Sequence, residues 1–73
     1  MKFGEALDKL IEGRAMTRTG WNGKGMSVKF AVGGANVCPY FIMYKADGFI
    51  QPGWVPSIGD LLADDWQEFK AQS

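Results

Sequence analysis

The chain lacks histidine altogether and has a single cysteine, Cys38, among its 73 residues. Histidine is the commonest general base near neutral pH, so its absence argues against most acid–base catalysis. Cys38 has no histidine to activate it as a nucleophile and no second cysteine for an intrachain disulfide. These absences predict a protein of a reducing compartment that is not an enzyme.

Net charge and long apolar runs are also absent. Eight basic residues balance eight acidic ones, which excludes the strongly basic surface of sequence-independent binders of long nucleic acids. No apolar run approaches the roughly eighteen residues that a membrane span needs. Residues 1–3 do not begin a signal-peptide pattern. We therefore expect a cytoplasmic protein that contacts neither membranes nor long nucleic acids.

Motifs that would hold a metal ion or a cofactor phosphate are missing. Asp64 and Asp65 are neighbours, and neighbouring side chains on a strand point to opposite faces, so they do not converge easily on one ion. The glycines between Gly20 and Gly25 lack the spacing and the following Ser or Thr of a phosphate-binding loop. We expect no metal and no cofactor.

Apolar residues are plentiful for so short a chain. They make up 47% of the sequence, and 14% is aromatic. A chain of this length forms one domain, residues 1–73, and buries only about 60% of its unfolded surface. Because no disulfide supports the fold, surplus apolar surface belongs at a subunit interface, and we expect a homo-oligomer.

The first half of the chain contains one helical pattern and two strand patterns. Apolar residues recur at helical spacing from Phe3 to Ile11, and Gly13 is a natural left-handed stop, so residues 3–12 should form an amphipathic helix. Residues 14–19 form a weak strand pattern. Residues 26–32 alternate between apolar and other side chains, with Met26, Val28, Phe30 and Val32 on the buried face.

The next segment reads as a hairpin. The apolar run 40–44 indicates a strand covered on both faces, by the core and by a partner subunit. Asp47-Gly48 predicts a type I′ turn, in which both central residues have positive φ. Residues 49–51 should pair back onto the first strand. Pro52 donates no hydrogen bond, so this strand should end there or lie at a sheet edge.

The C-terminal segment predicts a short helix and a last strand. Ser57 is a good N-cap, and Asp60 three residues later completes a capping-box pattern. We expect a short helix or 3₁₀ segment over residues 58–63 and a strand over residues 65–70. The fold class is therefore α+β: an N-terminal amphipathic helix packed on an antiparallel sheet, with a short helix before the last strand.

The segment Trp21-Asn22-Gly23-Lys24-Gly25-Met26 is the strongest functional signal. Its glycines let a backbone approach a ligand closely, while Trp21 offers a stacking surface and Lys24 a positive charge. This set suits a nucleotide-like ligand. A glycine-rich hairpin turn with Trp21 in the core is the structural alternative.

Two further segments occur downstream in a fixed order: Pro52-Gly53-Trp54, and Leu62-Ala63-Asp64-Asp65-Trp66. With the Trp21–Met26 segment they resemble a small family that includes the second of the two phage-encoded Thoeris anti-defence proteins. The resemblance covers nearly the whole chain, although the loop at residues 33–39 is shorter than in that family. It implies a sponge that binds cyclic ADP-ribose-type signals at protomer interfaces of a homo-oligomer, with related cyclic nucleotides as a further expected ligand class.

Individual ligand contacts are assigned from side-chain chemistry. Aromatic rings would stack on a base, amide and backbone groups would bind ribose or phosphate, cations would neutralise the diphosphate, and small polar groups would hold ribose hydroxyls. The candidates are Arg18, Trp21, Asn22, Gly23, Lys24, Gly25, Met26, Trp54, Ser57 and Asp60.

Two alternatives and the assembly complete the expectations. The exposed aromatics would also suit a protein-interaction module that inhibits a host defence protein. Binding of single-stranded nucleic acid is disfavoured by the neutral charge. The resemblance implies a tetramer acting in the cytoplasm of the infected host.

Overall fold

The computed structural model describes residues 1–21 and 25–70, so the predicted ligand residues Asn22, Gly23 and Lys24 lie outside the described residues. A five-stranded antiparallel sheet carries the fold, with strand order β4-β3-β2-β1-β5. The elements are α1 (Phe3–Ile11), β1 (Met16–Arg18), β2 (Ser27–Ala31), β3 (Tyr40–Tyr44), β4 (Ile50–Trp54), α2 (Ile58–Leu62) and β5 (Trp66–Glu68). The predicted α+β class is confirmed.

Helix α1 covers one face of the sheet. Ala6 and Leu10 are fully buried, as the helical spacing of apolar residues predicts. The helix ends where expected: Glu12 is the C-cap, and Gly13 adopts a left-handed φ of 98°. The predicted N-terminal helix is confirmed, one residue shorter than proposed.

The core lies between α1 and the central strands. Cross-strand register places Met16 opposite Val28, and Val28 opposite Met43, so all three point toward the helix. The fully buried apolar residues are Ala6, Leu10, Met16, Val28, Met43 and Trp66. So small a core agrees with the expectation for a chain of this length.

The buried face of β2 is shorter than the sequence predicts. Val28 is buried and Phe30 half-buried, but Val32 is 77% exposed because the strand ends at Ala31. Ser27, assigned to the wet face, is almost completely buried. The alternation identified the two faces correctly, but not how deeply each side chain is covered.

The β3–β4 hairpin forms as predicted, but its turn type was wrong. Gly48 has positive φ and Asp47 does not. The Gly48 amide donates to the Lys45 carbonyl, and the Lys45 amide donates to the Phe49 carbonyl. This is a three-residue loop, in which a type I turn is followed by a left-handed glycine. Asp47 Oδ1 also accepts from the Phe49 amide at 3.0 Å, which stabilises the loop.

Strand β4 is an edge strand, as Pro52 predicts. It nevertheless continues through Pro52 to Trp54, three residues beyond the predicted end at residue 51. A register shift opposite Phe41 and Ile42 accommodates the extra residue. Trp54 is thereby placed opposite Phe41, on the helix-covered face.

The remaining elements are shorter than predicted. Strand β1 covers three of the six proposed residues, and β5 likewise. Helix α2 lies within the predicted 58–63 segment and has the full capping box of Ser57 and Asp60. Neither described helix is long and apolar enough to cross a membrane.

Candidate ligand-binding site

Asp60 is the centre of a polar cluster between α2 and the β1–β2 loop. Its backbone amide donates to Ser57 Oγ at 3.2 Å, and its Oδ2 accepts from the Ser57 amide at 3.0 Å. This reciprocal pair starts a helix of only five residues. The same pair turns the other carboxylate oxygen, Oδ1, toward the loop.

Arg18 bridges two carboxylates. Its Nη1 lies 2.7 Å from Asp60 Oδ1, and its Nε lies 2.8 Å from Asp65 Oδ1. Asp65 Oδ2 also accepts from the Gly20 amide at 2.8 Å. One guanidinium thus joins the end of β1, the helix α2 and the start of β5. Two carboxylates and one cation leave this cluster with a net negative charge.

Two indoles complete the hydrogen bonds of Asp60. Trp21 Nε1 donates to Asp60 Oδ1 at 3.1 Å, and Trp66 Nε1 donates to the Asp60 carbonyl at 2.9 Å. Each indole therefore has a fixed ring orientation as well as an apolar contact surface. Asp60 is the residue that holds both rings in place.

These contacts shift the pKa values of the acids in a consistent direction. Burial opposes ionisation of Asp60, but hydrogen bonds from Ser57, Arg18 and Trp21 outweigh burial and hold its pKa below the usual range. The hydrogen bond from Arg18 lowers the pKa of Asp65, with a further contribution from the Gly20 amide. The two carboxylates raise the pKa of Arg18. All three groups stay charged near neutral pH.

A continuous chain of edge-to-face aromatic contacts runs through the helix-covered face. Trp21 lies 5.3 Å from Trp66 and 6.1 Å from Trp54, measured between ring centroids. Phe3 extends the chain from Trp66, and Phe41 extends it from Trp54. Trp54 and Trp66 belong to the two edge strands, which lie four strand spacings or about 19 Å apart along a flat sheet. The sheet therefore curls so that Trp21 bridges its edges.

The structure brings together five of the predicted ligand residues: Arg18, Trp21, Trp54, Ser57 and Asp60. Trp21 and Trp54 are only half-buried, whereas Trp66 is 2% exposed and belongs to the core. The polar atoms of Arg18, Ser57 and Asp60 already bind one another. Their direct contact with a ligand stays a prediction. A phosphate at Arg18 would have to compete with two carboxylates.

Gly25 and Met26 form the part of the loop that directly precedes β2. The Met26 carbonyl accepts from Thr17 Oγ1 at 2.7 Å, which ties the loop to β1. Gly25 lines two adjoining cavities on the sheet face away from α1, with volumes of about 460 and 330 Å³. Sequence reasoning missed most of the residues around these cavities, notably Lys29, Tyr44 and Phe69. The alternation in β2 placed Lys29 on this face, but nothing local indicated that the face carries a groove.

Two basic residues near β1, Arg14 and Arg18, are paired with acidic side chains. Arg14 Nη1 pairs with Glu68 at 2.9 Å, and Arg18 is held by Asp60 and Asp65. Within residues 1–21 and 25–70, no group of three metal-ligating side chains is found. In the described part of the cluster, Asp60 Oδ1 accepts hydrogen bonds from both Arg18 and the Trp21 indole.

Comparison with known proteins gives two concordant matches. A family model described as the Thoeris anti-defense 2-like domain matches residues 1–69. The chain is also similar to Thoeris anti-defense 2 of Bacillus phage SP01, with 38% identity over 82 aligned positions that cover 90% of this chain and 91% of the relative. The alignment is longer than the 73-residue chain, so the relative has additional residues within the matched region. This chain belongs to the Thoeris anti-defense 2-like family.

Proposed function

We propose that this protein is a phage anti-defence protein that captures cyclic ADP-ribose-type immune signals without cleaving them. The observation that carries the proposal is the family match over residues 1–69, supported by a relative that is named for counteracting Thoeris defence. Capture would lower the free signal stoichiometrically in the cytoplasm of the infected cell. Related cyclic nucleotides belong to the same chemical class and are included in the proposal.

The arrangement of the indoles supports a ring-binding role. Trp21 and Trp54 are half-buried neighbours next to a glycine-containing loop, so each has ring surface left for a base. Asp60 contributes by fixing Trp21, because its Oδ1 accepts a hydrogen bond from the indole Nε1. Arg18 and Ser57 in turn hold the Asp60 carboxylate in place. Asn22, Gly23, Lys24, Gly25 and Met26 would supply the groups that reach ribose and phosphate.

Energetics favour a site that two protomers enclose. Stacking on an aromatic ring contributes about 1–3 kcal/mol, and each hydrogen bond to a charged group about 1.5–3 kcal/mol. A nanomolar sponge needs about 12 kcal/mol after association costs. Two stacks and three such bonds give roughly 6–15 kcal/mol, and association subtracts several kcal/mol from this sum, so one open surface falls short of the required value. A pocket between protomers buries more of the ligand and reaches it.

The surface supports a homo-oligomer, for which we propose a tetramer. Nine large apolar side chains of the described residues are exposed, against six apolar residues in the core. The exposed ones are Ile11, Val32, Val37, Phe49, Ile50, Val55, Ile58, Leu61 and Leu62. Tyr40, Ile42 and Tyr44 also lie on the sheet face that no helix covers. Contact with further copies would bury this surface.

A non-enzymatic role agrees with the chemistry of the described acids. Asp60 and Asp65 are kept ionised by Arg18 and by amide donors, so neither is tuned toward the neutral pH range that a general acid or base requires. The sequence supplies no histidine. We therefore propose binding without turnover.

Calorimetry with cyclic ADP-ribose isomers tests the proposal. Tight binding, followed by heat denaturation and recovery of intact ligand, supports a sponge; recovery of altered ligand means an enzyme. Trp54→Ala should weaken binding at least about tenfold, which corresponds to the loss of one stacked ring. Phe49→Ala is the control, since Phe49 is a 71% exposed aromatic residue in the hairpin loop. Equal affinities of the two variants would remove Trp54 from the site.

One observation favours the second candidate, a protein-interaction module. The exposed residues Val55, Ile58, Leu61 and Leu62 lie on and beside α2. If no isomer binds, and a host defence protein co-purifies stoichiometrically through these residues, the sponge proposal is replaced by this one.

A further inference from the structure

The sheet face away from α1 has a groove over β1 and β2. Because Met16 and Val28 are paired and point toward the helix, their neighbours Ala15 and Ser27 point to the opposite face. Register places Tyr44 beside Ser27 on that face. Phe69 follows β5 and lines the same cavity as Tyr44.

Residue size gives this face its shape. The floor consists of small residues, Gly13, Ala15, Gly25 and Ser27, whereas Tyr44 and Phe69 rise at the sides. Tyr44 lies in β3 and Phe69 directly follows β5. These two strands are three strand spacings, or about 14 Å, apart. The cavity of about 460 Å³ adjoins the one of about 330 Å³, with Gly25 and Phe69 shared. Trp21 lines the smaller cavity, so the groove begins at the proposed ligand loop.

The charged side chains that line the groove are positive. Among the described residues that line it, none is acidic although the chain has eight acids. The cations among these residues are Lys29 and Arg18, and the Arg18 guanidinium is bound by Asp60 and Asp65. Lys29 is exposed, and no carboxylate of the described residues lies within ion-pair distance of it. A positive side chain over a floor of small residues attracts an anion.

Polar groups of the groove suit a sugar. Thr17 and Gln67 line the smaller cavity, and Ser27 lines the larger one. Aromatic walls, hydroxyl and amide groups and an exposed cation are what an aromatic ring linked to ribose and phosphate requires. The groove volumes lie in the range of small-molecule sites.

We propose that this groove is part of the ligand site and binds the nucleoside-diphosphate portion of the ligand. Lys29 contacts phosphate oxygens, Phe69 and Tyr44 pack against rings, and Thr17 and Gln67 meet the sugar. The inference rests on the proposed function and extends its site from Trp21 across the sheet. It assigns the principal phosphate contact to Lys29, where no carboxylate competes, and not to Arg18.

A second copy of the chain is the competing occupant of the groove. A symmetric face-to-face dimer with its two-fold axis at the groove would bring two Lys29 side chains together, and their like charges oppose close contact. The apolar part of the same face, around Tyr40 and Ile42, remains available for assembly.

The test compares Lys29→Gln with Lys9→Gln, a charge-matched change on α1 at the other face of the sheet. Binding of cyclic ADP-ribose isomers and of ADP is measured by calorimetry at two salt concentrations. Lys29→Gln should weaken binding at least about tenfold and reduce its salt dependence, while Lys9→Gln binds like wild type. Phe69→Leu should also weaken binding. The two lysine variants should have the same melting temperature as the wild type.

The outcomes separate the two proposals. If wild type binds a cyclic isomer and both lysine variants bind equally well, the groove inference is wrong and the sponge stands. If ADP binds in a Lys29-dependent way and no cyclic isomer does, the groove stands and the sponge falls. If nothing binds, both fail. If Lys29→Gln changes only the oligomeric state measured by light scattering, the groove is a subunit interface and the inference is overturned.

Discussion

Trp21 Nε1 and Asp60 Oδ1 are joined by a 3.1 Å hydrogen bond across 39 positions of sequence. The same carboxylate receives Arg18 and the Ser57 amide, so one side chain connects the ligand loop, β1 and α2. The loop's indole is thus placed by a residue from the opposite end of the chain.

Asp60→Asn should lower the free energy of unfolding by about 2–3 kcal/mol, because it removes the charge that Arg18 faces and sets amide hydrogens against either the Ser57 amide or the Arg18 and Trp21 donors. Chemical denaturation measures this, and the indole resonance of Trp21 should move in NMR spectra. Asp64→Asn is the control, since Asp64 is exposed and should change stability by no more than about 0.5 kcal/mol. Equal stabilities of the two variants would show that the Asp60 contacts are dispensable.

Stability should fall in acid. The native pKa values of Asp60 and Asp65 lie below those of the unfolded chain, for which an aspartate has a pKa of about 3.9. Their contribution is therefore complete above the unfolded pKa and is lost as the pH falls through the native values. Urea midpoints should be level from about pH 8 to 5 and then decline.

The double variant Asp60→Asn, Asp65→Asn serves as the control for this pH dependence. It should be less stable at pH 7 and lose less stability between pH 5 and 2 than wild type. A decline of the same size in both proteins would assign the acid sensitivity to other carboxyl groups.

Gly33→Ala should be strongly destabilising, by about 2 kcal/mol or more. Gly33 has a φ of 78°, and an added Cβ would lie 2.3 Å from the Val37 carbonyl oxygen and 2.9 Å from that of Cys38. Gly34→Ala is the matched control, because nothing lies within 4 Å of its Cβ position. Thermal melts of the two variants should differ clearly, and coincident melts would mean that the loop yields without cost.

Leu10→Ala should cost about 2–5 kcal/mol, since Leu10 is fully buried under the sheet. Leu62→Ala, at a position 80% exposed, should cost no more than about 0.5 kcal/mol in the isolated subunit. Denaturation of both variants at one low protein concentration gives the comparison. A Leu62 effect as large as that of Leu10 would mean that Leu62 is buried in the assembly even at that concentration.

Local sequence patterns predicted the presence and type of each helix and strand more accurately than its first and last residues. The helix from Phe3 was evident from its spacing, and the Ser57–Asp60 box from two residues alone, because both depend on neighbours within one or two turns. The type I′ turn was wrong because Asp47 can remain at negative φ when Gly48 alone takes the left-handed position. Strand ends depend on cross-strand partners, so β4 continued through Pro52 when a bulge absorbed the mismatch.

The site was only partly visible in the sequence for a similar reason. The indoles and the polar groups around Asp60 stood out by residue type, and the fold does bring them together. The sequence did not show which charged side chains pair with each other. Arg18 was predicted to bind a diphosphate, but in the structure it forms ion pairs with Asp60 and Asp65. The alternation in β2 assigned Lys29 to the solvent-facing side of the strand. The groove beside it exists because Ala15, directly before β1, and Ser27, in β2, are small, and no sequence motif encodes that arrangement.

Pro52 in β4 has a consequence for how the protein behaves at high concentration. An edge strand with a proline and a register shift is a poor template for adding another strand, because its row of donors and acceptors is interrupted. At this edge, copies of the chain would associate through side-chain surfaces and not through a backbone ladder. Where such a surface is self-complementary, association closes into particles of fixed size instead of growing into fibres.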